Sequence, residues 1–214
     1  MNRLYERWRP RTLADVIGQE EAVAQIRGMV KGGLGGRAIW LSGPSGVGKT
    51  SLGLIVCGMV ADQFGIVQYD SGDDFTRGEL DRWRDSMGCY GWNGRGRALL
   101  IDEAHGIRAD VLRTMQGTLE RLPTNALVVF TTTKAGQEAL FEGIEAGPLL
   151  SRCDKVKLTN QGLAEAFAPR LVEIAKAEGV ELDRAGAVRL MREAKNNMRD
   201  AVQAVARLLA VAAA

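Results

Sequence analysis

Residues 43–51 read GPSGVGKTS, and this stretch decides the fold. It completes the pattern G-x-x-x-x-G-K-T directly after an apolar run at residues 38–41, and a helix is predicted to begin near Thr50. The glycines let backbone amides curl around a triphosphate, Lys49 can reach the terminal phosphates, and the Thr50 hydroxyl can bind Mg²⁺. A chance glycine-rich turn is the alternative, which the flanking strand and helix disfavour. The predicted nucleotide-binding residues are Gly43, Pro44, Ser45, Gly46, Val47, Gly48, Lys49, Thr50 and Ser51.

From residue 38 onward, short apolar runs alternate with longer amphipathic segments. The runs cover residues 38–41, 66–69, 98–101 and 126–130. Leu112, Met115, Leu119 and Leu122 recur at helical spacing between the last two runs, which gives a strand-helix-strand crossover. This alternation predicts an α/β fold in which helices flank a parallel sheet.

The strand pattern stops after about residue 156. Helical segments are expected around residues 160–178, 183–194 and 197–211. We expect Pro169 to kink the first segment or to begin a new helix, Gly179 to end it, and Asp183 to cap the next. We therefore predict two domains, a nucleotide-binding domain over residues 1–156 and a small all-helical domain over residues 157–214.

Two adjacent carboxylates follow the apolar run at residues 98–101. Asp102 can hold the shell of a Mg²⁺ ion, and Glu103 can orient or deprotonate an attacking water. Taken alone, such a pair is often only a helix cap, but together with the glycine-rich loop it predicts a nucleotide hydrolase. The letters Asp-Glu-Ala-His also match a class of helicases, which need two large domains that 214 residues cannot hold. We therefore expect His105 to be a loop residue near the site.

Composition excludes several other classes of protein. A hydrophobic share of 46% and a charged share of 25% are typical of a globular chain. With no long apolar run and no secretory signal, we expect a cytoplasmic protein with no membrane partner. A net charge of +2 argues against holding nucleic acid by bulk charge alone. The cysteines, Cys57, Cys89 and Cys153, include no C-x-x-C pair, so we expect no zinc site.

Residues 5–20, YERWRPRTLADVIGQE, resemble the N-terminal segment of the AAA+ clamp-loader ATPases. These are the gamma/tau subunits of bacterial DNA polymerase III and the subunits of replication factor C. The resemblance implies that this segment packs over the adenine of ATP, with Val16 and Ile17 lining the base pocket and Arg9 and Pro10 shaping the loop. A basic N-terminal arm is the alternative, and it explains the arginines but not the stretch at 16–19.

The resemblance continues through residues 102–133, including TLE and LP at positions 118–120 and 122–123, and implies further site residues. Thr133, or as second choice Thr132, stands where the family's first sensor contacts the γ-phosphate and water; a helix cap is the alternative. Arg152, in the sequence Ser-Arg-Cys, resembles the arginine finger of the family, which enters the active site of the neighbouring subunit. The alternative is a surface arginine before a strand. Arg199 resembles the second sensor at the start of a lid helix, and otherwise lies at an ordinary capping turn.

The same resemblance implies partners. These are a homo-oligomeric or hetero-oligomeric ring, a sliding clamp and primer-template DNA, with ATP and Mg²⁺ as cofactors. Arg108 stands where family members approach DNA phosphates. Met87, Tyr90 and Trp92 lie in or beside a glycine-broken loop and face a clamp or subunit, or fold back on the core.

Three features depart from the family pattern. The sequence lacks the zinc module of the gamma/tau proteins, its segment 134–150 is longer, and we expect its last residues to belong to the lid and not to the family's collar domain. Two other functions stay open beside clamp loading, a remodeller of branched or recombination DNA and a nucleotide-binding switch that does not hydrolyse.

Overall fold

The computed structural model describes residues 4–91, 93–133 and 147–212. A five-stranded sheet lies at its centre, with the order β2-β3-β4-β1-β5 and every neighbouring pair parallel. The strands are β1 (Arg37–Ser42), β2 (Ala61–Tyr69), β3 (Gly96–Ile101), β4 (Ala126–Thr132) and β5 (Asp154–Lys157). The predicted α/β fold is confirmed, and each of the four apolar runs lies in a strand.

Helices cover both faces of the sheet. They are α1 (Leu4–Arg7), α2 (Glu20–Lys31), α3 (Lys49–Val60), α4 (Arg77–Met87), α5 (Ala109–Leu119), α6 (Gly147–Leu150), α7 (Leu163–Ala177), α8 (Arg184–Glu193) and α9 (Met198–Ala212). None of the described helices is both long and apolar enough to cross a membrane.

The sheet separates two apolar core layers. The first packs α2, α3 and the C-terminal helices against one face, and the second packs α4, α5 and α6 against the other. Strand β4 is buried along its whole length, with Leu127 and Val129 in the first layer and Val128 and Phe130 in the second. A strand buried on both faces reads as a continuous apolar run, which is why the sequence identifies β4 so clearly.

The sheet has one strand, β5, that is not among the four apolar runs of the sequence. Val156 is its one buried residue, so β5 produces no apolar run that sequence periodicity could detect. It pairs with β1 on the side opposite to β4. The predicted boundary after residue 156 falls inside this strand, and the division into two domains remains a prediction.

The C-terminal helices follow the predicted segments closely. A single helix, α7, passes through Pro169, so no new helix begins there. It ends at Ala177, and Gly179 follows with a φ of +80°, as expected for a helix stop. The Asp183 side chain accepts a 2.7 Å hydrogen bond from the Gly186 amide and caps α8, which confirms that prediction.

Candidate functional site

The glycine-rich loop joins the end of β1 to the start of α3. Gly46 and Gly48 have φ angles of +73° and +98°, which a residue with a side chain rarely adopts. Lys49 is the first residue of α3 and is only 6% exposed. Its Nζ donates hydrogen bonds of 3.0 Å to the Gly43 carbonyl and 2.7 Å to the Pro44 carbonyl. Burial lowers the pKa of Lys49, while the nearby Glu103 and Asp102 carboxylates oppose that shift.

The carboxylate of Asp102 lies against this loop, directly after β3. Its Oδ1 accepts hydrogen bonds from Thr50 Oγ1 at 3.1 Å and from Thr131 Oγ1 at 2.7 Å. Asp102 is 8% exposed, and burial raises the pKa of its carboxyl while the two hydroxyl groups oppose the rise. The two side chains predicted to hold a metal, Thr50 and Asp102, are therefore adjacent.

Glu103 points to a different set of partners at the end of β4. Its Oε2 accepts a 2.9 Å hydrogen bond from Thr133 Oγ1 and a 3.3 Å bond from the Thr133 amide. Nδ1 of His105 lies 3.2 Å from the same Oε2 and 3.2 Å from Thr132 Oγ1. Thr133 therefore contacts Glu103 directly, Thr132 contacts it through His105, and His105 lies beside the site as predicted.

An open cleft connects the loop to the N-terminal segment and to the C-terminal helices. The predicted residues Arg9, Pro10, Val16 and Ile17 all line it, together with Ser45 to Ser51 and Glu103. The cleft is also lined by residues to which the sequence assigns no separate role in binding, which are Tyr5, Trp8, Asp15, Phe167, Arg170, Met198 and Val202. The first three lie in the 5–20 segment that the resemblance places over the adenine, and the other four lie in α7 and α9.

Gln19 is 3% exposed and contacts the glycine-rich loop from within the protein interior. Its Nε2 donates to the Thr159 carbonyl at 2.7 Å and lies 3.4 Å from the Val47 carbonyl, while its Oε1 accepts from the Thr159 amide at 3.0 Å. One buried amide therefore joins the N-terminal segment, the glycine-rich loop and the chain just after β5.

The C-terminal helices reach the cleft at the start of α9. The Met198 amide donates a 3.1 Å hydrogen bond to the Gly46 carbonyl, so α9 begins directly on the loop. Arg199 lines the cleft with its Cζ 5.3 Å from the centroid of the Tyr5 ring. Arg170 makes a similar contact with Trp8 at 5.1 Å. Two cation–π pairs therefore hold arginines at the cleft.

Arg152 lies away from this cleft. It follows α6, and its Nε donates a 2.9 Å hydrogen bond to Glu120 Oε1. Nη2 binds the same oxygen, and Nη1 binds the Pro148 carbonyl. The structure therefore brings Lys49 and Glu103 together but does not bring Arg152 to them within one chain.

The predicted partner residues are distributed over the surface on the side of α4 and α5. Arg108 precedes α5 and is exposed, with its Nε 3.4 Å from Asp110 Oδ1. Met87 ends α4 and packs in part against the second core layer, whereas Tyr90 is 63% exposed. Trp92 lies outside the described residues, as does most of the segment 134–150.

Metal-ligating side chains are sparse in the described part of the chain. No three His, Cys, Asp or Glu side chains there are grouped so as to hold a metal ion. The described cysteines are free. A Mg²⁺ ion commonly takes only one or two protein oxygen ligands and fills its other positions with phosphates and water, and Thr50 with Asp102 fits that pattern.

Two groups of known proteins resemble this chain in sequence. No family model matches the chain. Replication factor C small subunit of Archaeoglobus fulgidus is 25% identical over 210 residues, which cover 94% of this chain and 61% of the relative. DNA polymerase III subunit tau of Escherichia coli is 26% identical over 221 residues, which cover 93% of this chain and 33% of the relative. The chain thus spans between a third and two thirds of these relatives.

Solved structures resemble the fold. One point mutant of Thermotoga maritima RuvB, an AAA+ ATPase, superposes with a TM-score of 0.74 over 97% of this chain and 68% of that chain, at 23% identity. A second point mutant of the same protein gives a TM-score of 0.72 over 94% of this chain and 64% of that chain, at 22% identity. Because these identities are low, this likeness describes the fold alone. The chain therefore has the fold of an AAA+ ATPase and resembles the clamp-loader members of that class, replication factor C and DNA polymerase III tau.

Proposed function

We propose that this protein binds ATP in the cleft and hydrolyses it with Mg²⁺. The observation that carries the proposal is the 3.1 Å hydrogen bond between Thr50 and Asp102, which joins the glycine-rich loop to the acidic end of β3. Glu103 follows at the edge of the same cleft. The similarity to replication factor C and to DNA polymerase III tau supports ATPase activity in general.

The residues present fit a nucleoside triphosphate and its metal. Among the described residues, the hydrogen bonds of the buried Lys49 ammonium go to two carbonyl oxygens, so an anionic phosphate would improve its environment. The N-terminus of α3 points into the same loop and favours negative charge. Thr50 and Asp102 would hold Mg²⁺, which when bound neutralises charge on the phosphate oxygens.

The side chains around Glu103 support a mechanism of in-line attack. Water forms a bond to the γ-phosphorus while the bond to the bridging oxygen breaks, and the water proton passes to the Glu103 carboxylate. The hydroxyl and amide of Thr133 hold Glu103 at the end of β4. Lys49 stabilises the charge on the leaving phosphate oxygens, and Arg199 reports the presence of the γ-phosphate to α9.

We further propose that hydrolysis in an oligomeric ring is coupled to loading a sliding clamp on primer-template DNA. The similarity to clamp-loader subunits over more than nine tenths of this chain supports this function. In such a ring Arg152 would act on the neighbouring subunit, and Arg108 would approach DNA phosphates. Met87, Tyr90 and Trp92 would face the clamp or a neighbouring subunit.

Steady-state ATP turnover tests the coupling. The rate is measured alone, with a sliding clamp and primer-template DNA together, and with a four-way DNA junction. Clamp-loader function predicts the largest stimulation with clamp and primer-template. Greater stimulation by the junction would favour the second candidate, a remodeller of branched DNA, with which the RuvB-like fold is also consistent. Nucleotide binding without turnover under all three conditions would favour a switch that does not hydrolyse.

A further inference from the structure

Arg152 is held in a defined orientation by its own chain. Its Nε and Nη2 both donate to one carboxylate oxygen, Oε1 of Glu120. Its Nη1 donates to the Pro148 carbonyl and lies 3.5 Å from Ser151 Oγ. The Ser151 hydroxyl itself donates to the Pro148 carbonyl at 2.9 Å, so a single N–H of Nη1 can serve both acceptors.

These hydrogen bonds use only some of the N–H groups of Arg152. An arginine side chain has five N–H donors in one plane. The contacts in the described part of the chain use one on Nε, one on Nη2 and one on Nη1. Among the described residues, one N–H on each terminal nitrogen of Arg152 has no acceptor, and two such donors can bind phosphate oxygens together.

The residues that precede each partner of the ion pair are buried in the second core layer. Glu120 directly follows α5, whose last residue, Leu119, is buried. Arg152 follows α6, in which Leu149 and Leu150 are buried against the same layer. The hydrogen bond from Arg152 lowers the pKa of Glu120, which keeps the carboxylate ionised and able to hold the guanidinium.

We propose that Glu120 is a positioning residue, which fixes Arg152 so that its two free N–H groups face the nucleotide bound by a second copy of this chain. This inference rests on the proposed role of Arg152 in trans. An ordinary surface ion pair contributes little to stability. The role of the Arg152–Glu120 pair is to hold the guanidinium in one orientation. Orientation matters because a misplacement of about 1 Å can lower the rate about a hundredfold.

A complementation experiment tests this role directly. A Glu103→Gln chain keeps Arg152 but cannot hydrolyse, and an Arg152→Ala chain keeps its own cleft but has no finger. Mixing the two full-length chains should restore turnover at sites where Arg152 of the first chain meets the cleft of the second. Glu120 is then changed only in the Glu103→Gln chain, so every cleft that turns over nucleotide is unaltered.

The inference predicts a specific pattern in the mixtures. Glu120→Ala in the donor chain lowers the kcat of the mixture about tenfold and leaves the KM for ATP unchanged, since the finger contributes to the transition state. Glu120→Gln, which keeps an acceptor oxygen, retains turnover within about threefold of the parent mixture. Glu165→Ala removes the carboxylate of the exposed Arg192–Glu165 pair and serves as the matched control, with no effect.

Each other outcome overturns the inference in a distinguishable way. Equal kcat with Glu120→Ala and with the parent donor overturns the role of Glu120 while leaving Arg152 in trans. Absence of complementation by the parent donor overturns the trans role, and the role of Glu120 with it. The oligomeric mass of each mixture is measured in parallel, and a loss of assembly equal to the loss of kcat would make Glu120 a contact for assembly instead.

Discussion

The site has two halves that are held in different ways. Lys49 and Asp102 are almost fully buried and are bonded to the loop, to Thr50 and to β4. Arg199 and Arg152 lie nearer the surface, held by an aromatic ring and by a carboxylate. Contacts of the second kind contribute little to stability at exposed positions. The buried half is therefore fixed by the core, whereas Arg199 can exchange its ring contact for a phosphate at small cost, and Arg152 can keep Glu120 while its other N–H groups bind a phosphate.

Removing the buried cation should have the largest effect. Lys49→Ala takes away the buried ammonium that we propose contacts the phosphates, so we expect ATP affinity to fall at least about a hundredfold. Titration with a fluorescent ATP analogue measures the change. Lys176→Ala, at an exposed position on α7, is the control and should bind as the parent does. Equal affinities for the two variants would mean that the loop does not bind the triphosphate.

A second variant tests how firmly α9 is fixed to the buried half. A Cβ atom at Gly46 would lie 1.8 Å from Asn197 Oδ1, and Gly46 has a φ of +73°. Gly46→Ala should lower the free energy of unfolding by about 1–3 kcal/mol, because it adds backbone strain and displaces the Asn197 carboxamide, whose Oδ1 accepts a 3.2 Å hydrogen bond from the Asp200 amide at the start of α9. Urea denaturation measures the loss.

Two comparisons sharpen that experiment. Gly58→Ala lies within α3, where an added Cβ meets nothing within 4 Å, and it should leave stability equal or slightly higher. In an Asn197→Ala background the cost of Gly46→Ala should shrink, since the displaced carboxamide is gone. An unchanged cost there would show that Asn197 is not the obstacle.

The smallest effect is expected at the arginine half. A double-mutant cycle of Tyr5→Ala and Arg199→Ala should give a coupling of about 0.5–1 kcal/mol in unfolding free energy, as for an exposed cation–π pair. Replacing Tyr5→Ala by Tyr5→Phe in the cycle keeps the ring and should retain most of the coupling. Strict additivity with Tyr5→Ala would mean that the ring does not hold Arg199.

The sequence predicts the buried half of the site better than the arginine half. The glycine-rich loop carries its own chemistry within nine residues, and Asp102 and Glu103 follow a continuous apolar run that is typical of a buried strand. Parallel strands bring such ends to one edge of the sheet, so the meeting of Thr50 with Asp102 follows from the fold class.

Other contacts depend on packing that no local pattern encodes. The resemblance favours Thr133 and Thr132 as site residues, but the hydroxyl that binds Asp102 is that of Thr131. Three consecutive threonines stand at and just after the end of β4, so only the geometry assigns each hydroxyl its partner. The pairing of Arg152 with Glu120 joins residues 32 positions apart. Strand β5 has a single buried side chain and so gives no apolar run.

Glu103 is the proposed general base for hydrolysis of a nucleotide held by Lys49 and Asp102. Single-turnover release of phosphate from Mg²⁺-ATP, measured beside nucleotide binding for the parent chain and Glu103→Gln, tests it most directly. We predict equal binding and a release rate about 10² to 10⁴ times slower in the variant, the range expected for loss of a general base. Equal release rates in the two chains would contradict the assignment.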